Sequence, residues 1–481
     1  MSDYGQNPVQ SEARGHPRYH RFDGRIVMLG FGSVGQAVLP LLLRHLDIRP
    51  DQITIVKPSD KGLESAHERG VAVKLAEVTE DNHQRVLEPL LGRGDFLVNL
   101  SVDVGSITLM ALCQQRRALY IDASTEPWVG KNSNPDQPLD ERTNYHLREQ
   151  ALALRLQGDS RATALITMGA NPGLVSLLLK RALLQLAGPD TVAPVDRAGW
   201  AALAQRLDVR VIHVAERDSQ LRAERKQTGE FVNTWSIDGF VGEALQPAEL
   251  GWGTHERHFP DDGGRHDNGC RSAIFLKRPG AATRVRSWAP LAGPYEGFLV
   301  THAESISIAD HLTVGDPRDP VYRPTVHYAY HPCDDTVLSL HELAGRQWRL
   351  QEKQTLIRDD IISGRDELGV LLMGPRIGAY WHGSQLTIGE ARALCPDNSA
   401  TSLQVAAPIM AGMVWVMKNP ERGVVEPDDL PHDELLPMID PYLGRVVGVR
   451  SDWTPLQSRA TLFPEQIDRD DPWQFLNFRV V

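Results

Sequence analysis

Short apolar runs alternate with amphipathic stretches through the first third of the chain. Arg25-Ile-Val-Met-Leu-Gly30 is an apolar run ending on glycine, the pattern of a strand buried on both faces of a parallel sheet. From Ser33 to Leu46, Val34, Val38, Leu41, Leu42 and Leu46 recur at helical spacing, with Pro50 beyond the end. Gln52-Ile-Thr-Ile-Val56 supplies a second strand, and Phe96-Leu-Val-Asn-Leu100, Ala118-Leu-Tyr-Ile-Asp122 and Ala164-Leu-Ile-Thr-Met168 mark further strand–helix units. Strands alternating with helices predict an α/β fold with a doubly wound parallel sheet of the Rossmann type, over residues 21–168.

After Gly169 the texture changes. Alternating runs at 210–214 and 297–300 lie among many Gly, Pro and aromatic positions, so residues 169–440 are expected to form an α+β catalytic domain. The loop-rich stretch 251–267 reads as its lid. Residues 441–481 read as a docking segment, because Trp453, Phe463, Trp473, Phe475 and Phe478 need an apolar surface on this chain or a second subunit. Residues 1–20 are polar and lack the apolar core of a signal peptide, which predicts a flexible leader. The strongest apolar stretch, 174–186, is interrupted by Lys180 and Arg181 and reads as an amphipathic helix that does not enter a membrane.

Composition narrows the function less than the pattern does. With 481 residues, 41% hydrophobic and 23% charged, the chain reads as an ordinary multidomain globular protein. Its net charge of −11 and its lack of long basic runs exclude sequence-independent nucleic-acid binding. An acidic balance suits a cationic substrate, though most acidic proteins are simply soluble. Four scattered cysteines (Cys113, Cys270, Cys333 and Cys395) form no CxxC pair, so reduced thiols and a cytoplasmic location are expected.

Gly30-Phe-Gly-Ser-Val-Gly35 is a GxGxxG that follows a predicted strand and opens a predicted helix, the context its mechanism requires. Gly30 permits the tight turn, Gly32 lets backbone approach a pyrophosphate, and Gly35 lets helix and strand pack closely. The amides of Ser33 and Val34 at the helix start would face the phosphates. At the end of the second strand stands Lys57, where Asp or Glu usually holds the adenosine ribose. Lys57 could favour a 2′-phosphate, whereas Ser59 or Asp60 could keep NAD. Asn99, Ser101, Asp122 and Ser124 sit at the carboxyl ends of strands, where ligands bind in such sheets.

Candidates for chemistry are sparser. Asp103 and Glu126 follow strand ends on the nicotinamide rim, and Asn171 lies in the turn Gly169-Ala-Asn-Pro-Gly173. Glu216, Trp235, Glu243 and His302 each flank a strand-like run. Taken singly, each polar residue is more often a surface or paired residue than a catalyst, Trp235 would ordinarily be core, and Asn171 fits a helix-start turn as well as a functional position. A metal site is not expected. His327-Tyr-Ala-Tyr-His331 with Cys333, Asp334 and Asp335 has no second half, and Gly253-Thr-His-Glu-Arg-His258 spaces its histidines by three where HExxH needs four. No GxSxG is present, and no lysine lies in an apolar motif suited to a Schiff base.

Longer words run in order from about 21 to 478. They are Asn99-Leu-Ser-Val-Asp103, Leu119-Tyr-Ile-Asp122 with Glu126-Pro-Trp128, Gly169-Ala-Asn-Pro-Gly173, His213-Val-Ala-Glu-Arg-Asp218 and Phe231-Val-Asn-Thr-Trp-Ser236. Leu245-Gln-Pro-Ala-Glu-Leu-Gly-Trp-Gly-Thr-His255, Phe298-Leu-Val-Thr-His302, His327-Tyr-Ala-Tyr-His-Pro-Cys-Asp-Asp335, Asp366-Glu-Leu-Gly-Val370, Ser451-Asp-Trp-Thr-Pro455 and Asp471-Pro-Trp-Gln-Phe475 follow. In these the chain closely resembles the bacterial-type homospermidine synthases, related to the saccharopine and carboxynorspermidine dehydrogenases.

The resemblance implies a homodimer with tightly held NAD that converts two putrescines, or spermidine and putrescine, to sym-homospermidine. It also implies the site residues. Glu216 and Asn171 would serve the reacting amine and imine, and Trp235 and Glu243 a cationic intermediate. Asp103 belongs to the same substrate-binding set. Glu126 and Asp366 would grip the distal ammonium at the entrance, with His302 as a proton shuttle titrating near neutrality. Two alternatives stay open: an NAD(P)-dependent dehydrogenase of the saccharopine or carboxynorspermidine type, which would need a basic clamp, and a non-catalytic nucleotide sensor.

Overall fold

In the computed structural model, which describes residues 16–132, 134–156 and 161–480, the apolar runs become the strands of one parallel sheet. Ile26–Leu29 is central, between Ile53–Lys57 and Phe96–Asn99, with Leu29 opposite both Val56 and Asn99. Outward lie Ala72–Leu75 on one side, and Leu119–Asp122, Ala164–Leu165 and Val424–Val425 on the other. Six of these seven strands follow the 3-2-1-4-5-6 order of dinucleotide-binding sheets. The seventh, Val424–Val425, returns from the stretch that the sequence assigns to the second domain.

The second sheet is mixed and has eleven strands. At its centre Val211–Asp218 runs parallel to Thr325–His331 and antiparallel to Arg365–Gly374. That register sets Glu216 beside Tyr330 and Leu368, and Asp218 beside Asp366. Helix Ala400–Lys418 packs on helix Ser33–His45 and on strand Leu119–Asp122, joining the two halves of the fold. Ser399 caps it by accepting the Ser402 amide at 3.1 Å. Among the described residues it is the one helix long and apolar enough to cross a membrane, and 94% of its apolar window is buried inside the protein. A helix apolar all round belongs in a core.

Two expectations are corrected. Stretch 251–267 lends no residue to the wall of the large cavity between the two sheets: strand Gly263–Arg265 pairs with Ala273–Pro279 at the sheet edge, and His255 bonds the Trp473 carbonyl at 3.0 Å. The aromatic tail docks on its own chain, burying Trp453, Trp473, Phe475 and Phe478, while Phe463 stays 71% exposed. Of the expected leader, residues 1–15 lie outside the described residues. Its end is ordered, with His20–Arg21 paired to Leu46–Asp47 and Tyr19 stacked on His45 at 5.0 Å.

Candidate active site

A cavity of about 910 Å³ opens where the carboxyl ends of the parallel strands face the second sheet. One end is the glycine turn. Gly30 has φ +87°, and a Cβ there would lie 2.6 Å from the Leu100 carbonyl. A Cβ on Gly35 would lie 3.0 Å from the Gly30 carbonyl, the close helix–strand approach that only glycine permits. Gly32 has nothing within 4 Å of a would-be Cβ, and it heads helix Ser33–His45 with no side-chain cap. The amides there are therefore free for an anion, and the buried Ser33 hydroxyl lacks any partner. These features fit a dinucleotide pyrophosphate.

Val34, Lys57, Asn99, Ser101 and Ser124 also line the cavity. The Lys57 ammonium donates to the Lys61 carbonyl, and Glu77, Glu80 and Asp81 share its end of the wall. Ser101 donates to Asn99 Oδ1 at 2.5 Å, and Asn99 Nδ2 donates to the Tyr120 hydroxyl at 3.2 Å. Asp122 does not reach the cavity. It is fully buried, accepts the Tyr120 hydroxyl at 2.8 Å and the Thr167 amide at 2.6 Å, and burial pushes its carboxyl up to about 7. It braces the sheet from inside.

The other end is acidic. Asp103, Glu126, Asp238 and Glu243 line it, and among the described residues Lys57 is the only lysine or arginine on the whole wall. Burial, then the negative charges of Glu243 and Asp103, push Glu126 up to about 8. Burial and Asp238 raise Asp103. Carboxylates held up in this way gain when a cation arrives.

Glu216, 3% exposed at the centre of the second sheet, accepts the Tyr328 hydroxyl and Asn171 Nδ2, the latter at 3.3 Å. Burial pushes its carboxyl up as well. Trp235 lines the cavity and donates through its indole N–H to the Tyr330 hydroxyl at 3.2 Å. His302 Nε2 lies 3.1 Å from Glu243 Oε2, and its ring lies 4.4 Å from that of Tyr328. Burial pulls the imidazole down, but Glu304 and Glu243 outweigh it and hold His302 well above 6.5. The two carboxylates therefore favour the protonated ring.

Asp366 is also corrected. It is fully buried off the cavity wall and accepts the Thr401 hydroxyl at 2.6 Å. Burial, then the charges of Glu216 and Asp218, raise its carboxyl, and its place off the cavity wall keeps it from an ammonium held there. Asp366→Asn, which keeps the shape of the group, is expected to change the KM for a diamine by less than about threefold. A KM raised by orders of magnitude in steady-state assays would restore the gripping role.

Tyr328, Tyr330, Asp238 and Thr401 were not singled out in the sequence. The two tyrosines lie in the His327–His331 word weighed above for metal. Strand alternation turns Tyr328 and Tyr330 toward the site, while His327 packs on the opposite side, 4.0 Å from His213. Among the described residues no group of three His, Cys, Asp or Glu side chains could hold a metal ion.

A dinucleotide-binding sheet closed against a carboxylate-lined second sheet defines a class. Residues 26–165 match the saccharopine dehydrogenase NADP binding domain, and residues 169–449 match the saccharopine dehydrogenase C-terminal domain. Within that class, homospermidine synthase from Blastochloris viridis is 52% identical over 471 residues, 96% of this chain and 99% of the relative. The Mesorhizobium japonicum homospermidine synthase is 47% identical over 474 residues, 96% and 98% of the two chains. The crystal structure of homospermidine synthase from Legionella pneumophila in complex with NAD superposes with a TM-score of 0.90 at 49% identity, covering 96% of this chain and 98% of that one. The chain belongs to the homospermidine synthase family.

Proposed function

We propose that this chain joins two putrescines into sym-homospermidine with release of ammonia, or takes the aminobutyl group from spermidine with release of 1,3-diaminopropane. The observation that carries this reading is the acidic end of the cavity, which has no basic clamp for an amino-acid carboxylate. A saccharopine-type substrate would leave its carboxylate facing Glu126, Glu243 and Glu216, with no lysine or arginine among the described residues at that end to pair it.

Gly30, Gly32, Ser33 and Val34 would hold the pyrophosphate of NAD, with Asn99, Ser101 and Ser124 along its length. When bound, NAD supplies the acceptor for a hydride from the carbon beside the donor amine and the source that returns it to the final imine. The protein's own groups manage the charges. A diamine is a dication near neutrality, and hydride leaves only from beside a neutral nitrogen. Glu216, raised by burial and oriented by Tyr328 and Asn171, takes the proton from that reacting ammonium. Asp103, Glu126 and Asp238 keep the distal ammonium charged, since carboxylates on one side only raise only that amine's pKa. Trp235 stabilises the cationic imine by a cation–π contact worth about 0.5–2 kcal/mol. Water must be kept from the imine, which it would hydrolyse to an aldehyde.

Incubation with putrescine and substoichiometric NAD is expected to give homospermidine and ammonia in many turnovers per NAD. Accumulation of one reduced cofactor per product would refute it. The homodimer implied by the resemblance belongs to the same reading. A light-scattering mass near twice 53.5 kDa is expected, and a mass near that of one chain would remove it.

A further inference from the structure

Behind His302 stands a carboxylate that the reaction scheme leaves unused. Glu304 lies in the first turn of helix Ala303–His311, whose N-cap is His302, and is fully buried. Neither of its carboxylate oxygens has a hydrogen-bond partner, and Oε1 lies 3.3 Å from His302 Nδ1. Among the described residues His302 is its one ion-pair partner. A buried carboxylate without a hydrogen-bond partner is costly, and the His302 ring is the side chain placed to offset that cost. On the far side, His302 Nε2 meets Glu243, which opens on the cavity. The other titratable groups facing the ring are Glu216 and Tyr328, on the two central strands. A Glu304–His302–Glu243 line thus runs from the interior to the cavity wall.

We propose that Glu304 is a positioning residue that holds the His302 ring and its proton in line with Glu243, making the pair the proton carrier for exchange of the two amines. When the second diamine attacks the protonated imine, its nitrogen bonds to the imine carbon, becomes cationic and must shed a proton. The original nitrogen must gain one before its bond to carbon breaks and it leaves with the bonding pair as ammonia. One proton crosses from the incoming to the departing nitrogen, and none is made or consumed. His302 gives its Nε2 proton to Glu243 as Glu243 protonates the departing nitrogen, and regains a proton by the same route from the incoming one. Without Glu304 the ring would lose its proton to solvent on the alkaline side.

This inference rests on the aminobutyl-transfer reading, which wild-type protein tests separately by forming homospermidine in the same assay. Glu304→Gln is expected to lower kcat by on the order of 100-fold and leave the KM for putrescine within a few fold. It is also expected to move the alkaline limb of the kcat profile down by about a pH unit or more. In a His302→Gln background the same change should alter neither quantity further. An unshifted alkaline limb, or an equal loss in the His302→Gln background, overturns the proposal. If Glu304→Gln does not fold, Glu304→Asp carries the test. Its charge should keep the wild-type limb while its shorter reach lowers kcat, and wild-type kcat overturns the proposal.

Discussion

Glu216→Gln is expected to lower kcat by on the order of 1,000-fold while leaving NAD binding intact, because it removes the group placed to take the donor's proton. The residue sits mid-strand with its carboxyl fixed by Tyr328 and Asn171, so the amide fits the same space. The substitution should also stabilise the protein. A carboxyl whose folded pKa is raised makes the folded state bind more protons than the unfolded state. Stability from that group therefore falls as pH climbs from the unfolded value of roughly 4.3 through the raised folded one. Glu216→Gln should accordingly melt a few degrees above wild type at pH 8, and close to it at pH 5. In the wild type, kcat/KM for putrescine should rise with pH until Glu126 ionises at about 8. An inactive variant with no gain in Tm at pH 8 would mean that burial does not strain Glu216.

The second large effect separates two glycines of one motif. Gly30→Ala puts a Cβ 2.6 Å from the Leu100 carbonyl at a φ of +87°. The backbone strain alone costs about 1–3 kcal/mol, so this variant should lose several degrees of Tm without ligand. Gly32→Ala meets nothing within 4 Å and should keep the wild-type Tm. Its methyl would instead stand where backbone must approach the pyrophosphate, so NAD affinity should fall roughly 10- to 100-fold. Thermal melts with and without NAD distinguish the two. A wild-type NAD shift in Gly32→Ala would remove the pyrophosphate from this turn.

The parallel sheet was legible because its central strands, Ile26–Leu29, Ile53–Lys57, Phe96–Asn99 and Leu119–Asp122, are short apolar runs ended by polar residues or glycine. Ala72–Leu75 escaped notice since an edge strand half open to solvent has no apolar run to show. Val424–Val425 is too short to carry a pattern. Helix Ala400–Lys418 was missed because a helix buried all round has no polar face to set its period.

The glycine end of the site followed from local spacing. The acidic end did not, for Glu126, Glu216, Glu243 and His302 come from four separate segments that only tertiary packing brings together. The resemblance named those residues but not their surroundings. Asp122 shares a sheet face with Tyr120, turned away from the cavity, and a strand-end position alone does not say which face a side chain takes. Asp366 lies opposite Asp218, two residues along the strand from Glu216, in a register that periodicity cannot supply. The charge of His302 depends on Glu243 and Glu304 meeting it from two helices.

The central claim is that the hydride removed from the donor returns to the product within one closed site. Putrescine deuterated at both carbons next to nitrogen, given with NAD and an excess of unlabelled NADH, tests this by mass spectrometry of the product. Homospermidine that keeps every deuterium of both putrescine units is the expected result. Homospermidine one deuterium short, with the label in the bulk NADH, would contradict it.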